Sequence, residues 1–191
     1  MTGTEITRNL DAEVLAASHG DEDAFSALWY ALNPPLLRYL QVRNPKLAED
    51  TAAETWLAVV GGIERFTGDE RAFRSWLFTI ARSKVVDEAR RRSRRPVDLI
   101  DDWAGIEPVD PADVAGLAVE TMQTADILAL LRTLPGDQAE IVALRVLADL
   151  DVKAVAKIVG KSTGAVRVAQ HRALQKLAAL VEAGAGAGVT P

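Results

Sequence analysis

Arg90, Arg91, Arg92, Arg94 and Arg95 fall within six consecutive positions, and Arg74, Arg82 and Lys84 precede them. Guanidinium and ammonium groups at that density suit one chemistry above others, the neutralisation of phosphate oxygens along a polyanion. A plain solvated face is the competing reading of any charge run. The segment 73–95, FRSWLFTIARSKVVDEARRRSRR, carries a second pattern as well. Phe73, Leu77, Ile80, Ala81, Val85 and Ala89 recur at three- and four-residue steps, which aligns them on one helical face for packing and leaves the cations on the other.

A second cluster with the same chemistry lies at 152–177, VKAVAKIVGKSTGAVRVAQHRALQKL. Ala154, Val155, Ile158 and Val159 define the inner face of one helix. Gly160 supplies a left-handed turn position, and Ser162 is placed to cap the next helix. In that helix Val166, Ala169, Ala173 and Leu177 form the inner stripe, while Arg167, Gln170, His171 and Arg172 project outward. The layout is that of a helix-turn-helix, whose second helix enters the major groove of DNA. An ordinary helical hairpin is the alternative.

Other chemistries lack their residues. There is no cysteine, so no thiolate nucleophile, disulfide framework or Cys-ligated zinc site, and His19 and His171 are too far apart in sequence to predict a histidine metal site or triad. No Gly-rich phosphate loop, metal-ligand cluster or nucleophile beside a base is evident, so no catalytic residue, metal or cofactor is expected. No apolar run approaches the roughly 18 residues that span a bilayer, and the N-terminus lacks a signal-peptide pattern, so a cytoplasmic protein without membrane insertion is expected.

The formal net charge of −5 hides strong segregation. Residues 65–95 hold ten bases and four acids, residues 97–126 eight acids and no base, and residues 153–181 six bases and no acid. Two basic blocks around an acidic connector suit a protein that grips a polyanion at two places.

The elements that must position these clusters are helical. Gly20 and Asp21 start a helix marked by Phe25, Leu28, Trp29 and Leu32, which Pro34 and Pro35 should end or kink before Leu36, Leu37 and Leu40. Residues 46–63 read as a helix with Leu47, Trp56, Leu57, Val60 and Ile63 inward and Glu49, Asp50 and Glu54 outside. Gly68 and Asp69 mark a loop before the basic helix. Helical pattern returns from Met122 to Leu134, breaks at Pro135 and Gly136, and resumes from Asp137 to Leu147 with Ile141, Leu144 and Val146. Alternating strand pattern is absent, so the fold class is all-α: two small helical domains, 1–95 and 122–182, joined by an acidic flexible linker, 96–121. The tail, 183–191, is of low complexity and is expected to fray.

Both clusters in this order give the chain a resemblance to the extracytoplasmic function (ECF) class of bacterial RNA polymerase sigma factors. The stretches DEDAFSALW, AEDTAAETWLAVV and FRSWLFTIARSKVVDEARRRSRR resemble the first domain of that family, and LRTLPGDQAEIVALRVLADLDVKAVAKIVGKSTGAVRVAQHRALQKL resembles the second. The resemblance implies binding to core RNA polymerase, through its beta and beta-prime subunits, and promoter recognition at −10 and −35 elements. For core binding it implies Asp50, Glu54 and Trp56. For the −10 element it implies Thr67, Gly68, Arg71, Arg74, Arg82, Ser83, Lys84, Arg90 and Arg91, with the loop before the basic helix accommodating a flipped base. For the −35 element it implies Lys161, Ser162, Thr163, Arg167, Gln170, His171 and Arg172. Trp76, at helical spacing from Ile80, reads as a core residue rather than a stacking platform for a base. It also implies an anti-sigma protein as partner. Ala53 and Ser83 stand where many members have Gln and Asn, and Val168 and Ala169 where Ser and Arg are common, so promoter sequence does not carry over from relatives. A helix-turn-helix regulator acting without polymerase is the alternative function. A linker threading through the polymerase, or one folding back over the basic blocks through Asp98, Asp101, Asp102, Asp110 and Asp113, are the two expectations for 96–121.

Overall fold

Helix starts and stops sit where the side chains can satisfy loose backbone groups. In the structure, a computed structural model that describes residues 9–94 and 120–187, α1 spans Asp11–Ser18 and α2 Glu22–Arg43. The Asp21 carboxylate accepts from the Ala24 amide at 2.8 Å and caps α2. A 3-10 turn at Pro45–Leu47 leads into α3, Ala48–Val60, and a second at Ile63–Arg65 precedes α4, Glu70–Arg94. Asp69 caps α4 by accepting from the Ala72 amide at 2.8 Å. The second unit contains α5 (Glu120–Arg132), α6 (Gly136–Val146), α7 (Val152–Val159) and α8 (Thr163–Ala187). No strand occurs among the described residues, and the all-α expectation holds. The acidic segment 96–121 and both expectations attached to it lie almost wholly outside the described residues.

Helix α2 is the spine of the first unit. Leu28, Leu32, Leu36, Tyr39 and Leu40 are buried along it, against Val14 of α1, Trp56 and Val59 of α3, and Phe73, Leu77, Phe78 and Ala81 of α4. Each such side chain contributes about 1.5–3 kcal/mol on leaving water. Edge-to-face rings tie the helices together, Tyr39 on Phe78 at 5.5 Å and Phe25 on Trp56 at 5.8 Å. In the second unit Leu128 and Leu131 of α5, Ile141 and Leu144 of α6, Val155 and Ile158 of α7, and Val166 and Ala173 of α8 are buried. The two units pack directly on each other, α2 against α5 and α6, and α4 against α7.

Several sequence expectations change. Pro34 and Pro35 lie inside α2 without ending it. The carbonyls they leave without an intrahelical donor belong to Tyr30 and Ala31, both exposed, where water can replace the lost bond. Leu57, Val60 and Val146, read as part of the apolar pattern, are exposed at 72%, 54% and 59%. Along α3 the inward stripe is instead Ala48, Ala52, Thr55, Trp56 and Val59. Ala89 is exposed and Phe78 takes a core place on α4. Glu70 and Arg71 belong to the first turn of α4, which shortens the preceding loop. The C-terminal helix continues to Ala187, beyond the expected start of the tail, because alanine's helix preference runs on between the glycines.

Candidate nucleic-acid and polymerase interfaces

The helix-turn-helix is built by three local devices. Asp151 caps α7, its carboxylate accepting from the Ala154 amide at 2.8 Å. That bond holds the Asp151 carboxyl below the usual carboxylate range. Gly160 adopts φ 69 and ψ 34, the left-handed conformation that turns the chain after α7. Ser162 accepts from the Ala165 amide at 3.1 Å and caps α8, so its hydroxyl serves the helix start. Arg167, His171 and Arg172 are exposed on α8, and Thr163 is half-buried. Lys161 is exposed and donates to Asp137 at 2.8 Å, a bond that lowers the Asp137 pKa. Gln170 does not project freely: Arg145 Nε donates to it at 3.4 Å, and a second Arg145 nitrogen donates to the Leu150 carbonyl. Arg145 thereby braces α8 from α6, a role that its sequence position in an amphipathic helix does not announce.

On the first unit the predicted residues separate into exposed and engaged groups. Thr67, Gly68, Arg71, Ser83, Arg90 and Arg91 are exposed. Among the described residues Arg90 and Arg91 make only surface pairs, with Asp87 at 3.6 Å and Glu88 at 3.3 Å, which are weak and easily exchanged for phosphate. Arg74 is engaged by Glu70 at 2.6 Å, and Lys84 by Glu54 of α3 at 3.2 Å. Phe66 stacks on Trp76 with centroids 5.1 Å apart and meets Phe73 edge-on at 5.4 Å, so Trp76 packs as expected and the loop is anchored to α4. Gly68 has φ +151 inside that anchored turn.

Helix α3 presents Asp50 and Glu54 to solvent. Trp56 is 6% exposed, and its indole N–H donates to Asn33 at 3.1 Å, so its ring is an interior packing group rather than a contact surface. The apolar residues α3 offers outward are Leu57 and Val60. Periodicity alone places them inward, but a helix with apolar residues on two faces leaves the choice to its neighbours.

Arg82 lies at the junction of the two units. Its Nε donates to Glu140 Oε1 of α6 at 3.1 Å, and Tyr39 Oη donates to the same oxygen at 3.1 Å. Arg43 Nε lies 3.6 Å from it, and Arg43 Nη1 donates to the Gly136 carbonyl at 3.1 Å. Glu140 is 4% exposed. Burial, and next the neighbouring carboxylate, push the Tyr39 phenol well above its usual range, which keeps it a proton donor. Glu140 was visible in sequence only as a lone acid beside the apolar run Ile141–Leu144. Between the units a cavity of about 410 Å³ opens, with Arg71 and Arg74 on one wall and Arg145, Asp149 and Asp151 on the other. Among the described residues no metal-capable cluster occurs, and no helix is long and apolar enough to cross a membrane.

A helical unit with a basic helix, followed by a helix-turn-helix unit, is the arrangement of a two-domain promoter-recognition factor. Residues 23–95 match the family model for sigma-70 region 2, and residues 124–177 that for sigma-70 region 4. The ECF RNA polymerase sigma factor SigD of Mycobacterium tuberculosis is 35% identical over 178 residues, covering 88% of this chain and 82% of that protein. ShbA of Streptomyces griseus, also an ECF sigma factor, is 35% identical over 185 residues, covering 92% of this chain and 97% of its own. Two solved structures share the fold. CnrH, determined with the cytosolic domain of CnrY, has a TM-score of 0.62 at 22% identity, covering 92% of this chain and 99% of that one. The sigma factor RpoE of Bartonella quintana, determined with the anti-sigma factor NepR, has a TM-score of 0.64 at 24% identity, covering 83% and 96%. The chain belongs to the ECF sigma factors of the sigma-70 family, which are initiation factors without enzymatic activity of their own.

Proposed function

We propose that this sigma factor docks on core RNA polymerase, at its beta and beta-prime subunits, through α3, with Asp50, Glu54 and the outward Leu57 and Val60 as contacts. In this reading 1–95 opens the −10 element and 122–182 reads the −35 element. The observation that carries the reading is the capped turn at Gly160–Ser162, which sets α8 with Arg167, His171 and Arg172 on its open face. Helix α8 enters the major groove of the −35 duplex, where Lys161, Thr163 and Arg172 meet phosphates and Arg167 and His171 reach base edges. Gln170, braced by Arg145, contributes by holding the helix surface in shape.

At the −10 element, the anchored loop at Thr67–Asp69 and the first turn of α4 with Arg71 receive an unstacked base. Extruding that base costs a few kcal/mol, offset by pocket contacts and by neutralisation of the strand along Arg82, Ser83, Lys84, Arg90 and Arg91. The polymerase carries out RNA synthesis. An anti-sigma protein is proposed as a further partner from the complexes formed by CnrH and RpoE, and the cytoplasm as the compartment from the family's task.

Run-off transcription with bacterial core polymerase on a pool of promoter fragments tests the reading. Transcripts from defined starts only in the presence of this protein are expected. No transcripts, together with a footprint on duplex DNA by the protein alone, would favour a regulator that works without polymerase.

A further inference from the structure

A buried carboxylate costs several kcal/mol of desolvation, and an apolar residue at position 140 would pack α6 without that cost. Glu140 is nonetheless there, and among the described residues its hydrogen-bond and ion-pair partners all belong to the first unit: Tyr39 and Arg43 at the end of α2, and Arg82 on α4. The three donors do not need Glu140 to stand together. Tyr39 is fixed against Phe78 of α4, so the end of α2 and the middle of α4 are already joined inside the first unit. The carboxylate also serves them incompletely. Tyr39 and Arg82 donate to one oxygen, and Arg43 Nε, 3.6 Å from the same oxygen, is buried without a hydrogen-bond partner among the described residues. One oxygen offers two lone pairs to three donors. A phosphodiester, like the carboxylate, shares one negative charge between two oxygens, so it can take the carboxylate's place among these donors, and guanidinium groups suit it geometrically.

We propose that Tyr39, Arg43 and Arg82 form a binding site for one backbone phosphate of the opened promoter strand, and that Glu140 occupies this site as an internal substitute while the two units are packed together. The proposal rests on the reading of α4 as the helix that tracks the melted strand. Arg82 lies two turns before Arg90 on that helix, so a strand neutralised at Arg90 and Arg91 continues toward it. Binding of the strand at this site and packing of α6 on α2 are mutually exclusive, so promoter contact requires the units to part.

The test uses the full chain, a short single-stranded DNA of mixed sequence, and fluorescence anisotropy across a salt series. The absence of native cysteine allows a dye pair at Ser26→Cys and Gln175→Cys to report separation of the units independently. Glu140→Gln, near-isosteric, is expected to lower energy transfer and to raise affinity for the DNA. If the packed form holds about nine-tenths of the molecules, full opening raises apparent affinity about tenfold. Glu140→Ala serves as a second opening variant, with helicity checked by circular dichroism for both. In the opened background Arg43→Gln should weaken binding and reduce the salt slope by about 0.7, the value for one phosphate on a single strand. A site that merely latches the units predicts no change in affinity or salt slope for Arg43→Gln in the opened background. Opening by Glu140→Gln without gain in affinity, or an unchanged slope when Arg43 is removed from the opened form, overturns the proposal. Failure of the wild-type protein in run-off transcription would instead strike the sigma-factor assignments, leaving the sign of the Arg43 effect as a separate result.

Discussion

Gly68 joins the loop proposed for the −10 element to α4, and replacing it with alanine tests whether that loop is held by the packing described. Two costs add. Its φ of +151 is a conformation L side chains rarely adopt, and residues forced into such regions cost about 1–3 kcal/mol. The new Cβ would also lie 2.8 Å from Ala72 Cβ and 3.2 Å from Phe66 Cζ. Ala72 Cβ is fixed to helix backbone and Phe66 is held between Trp76 and Phe73, so neither can swing aside, and overpacking of this kind costs about 1–3 kcal/mol. The expected loss is therefore about 2–6 kcal/mol. For a domain of this size each kcal/mol moves the melting temperature by about 4–8 °C, so Gly68→Ala should melt roughly 10 °C or more below wild type. Two glycines give internal controls. Gly160→Ala meets no atom of the described residues within 4 Å and carries only the strain of φ +69, about 1 kcal/mol. Gly61, at φ −67, would make ordinary contacts from 3.6 Å outward, and Gly61→Ala should be neutral or slightly stabilising. Calorimetry of the full chain separates the three. A Gly68→Ala protein melting within a few degrees of Gly61→Ala would refute the packing argument for this loop.

Other substitutions test single features. Leu57→Ala and Val60→Ala should each weaken binding to core polymerase about tenfold, the loss of about 1.5 kcal/mol of apolar burial, with melting temperature unchanged because both are exposed in the free protein; competition binding measures this. Arg172→Ala should weaken −35 duplex binding across all sequences and reduce the salt slope by about 0.9, whereas Arg167→Ala should relax preference at one base pair by about 1–3 kcal/mol in a binding-site selection. Asp151→Ala removes the α7 cap and should cost about 1 kcal/mol at neutral pH. Because the folded Asp151 pKa is depressed, the charge-dependent part of its contribution is present above the unfolded carboxylate value near 3.9 and is lost as pH falls through the folded value. The gap in melting temperature between wild type and variant should narrow in that acid range.

Local chemistry was legible. Asp21 and Ser162 cap the helices whose starts they mark, Gly160 takes the left-handed turn, and Val166 and Ala173 fill the inner stripe of α8, because caps and periodicity act over a few residues. Features set by distant neighbours were not. Leu57 was assigned inward because α3 is apolar on more than one face, and only the placement of α2 and α4 decides which face is covered. Tyr39 and Glu140 are separated by 101 positions, and no local pattern links them. Arg74, Arg82 and Lys84 were recognised as cations on one helix. That each has a carboxylate partner depends on Glu70, Glu140 and Glu54, two of them on other helices.

The shared cluster of Tyr39, Arg43, Arg82 and Glu140 bears on how such proteins can be recombined. A chimera joining the first unit of this chain to the second unit of a relative inherits half of a contact from each parent. If the incoming α6 lacks an acid at position 140, two arginines are left facing an apolar surface and the graft begins life unlatched; if the incoming unit brings a base there, like charges meet. The two units are thus not interchangeable cassettes, and a designer who wishes to exchange promoter preference must carry position 140 across together with the recognition helix.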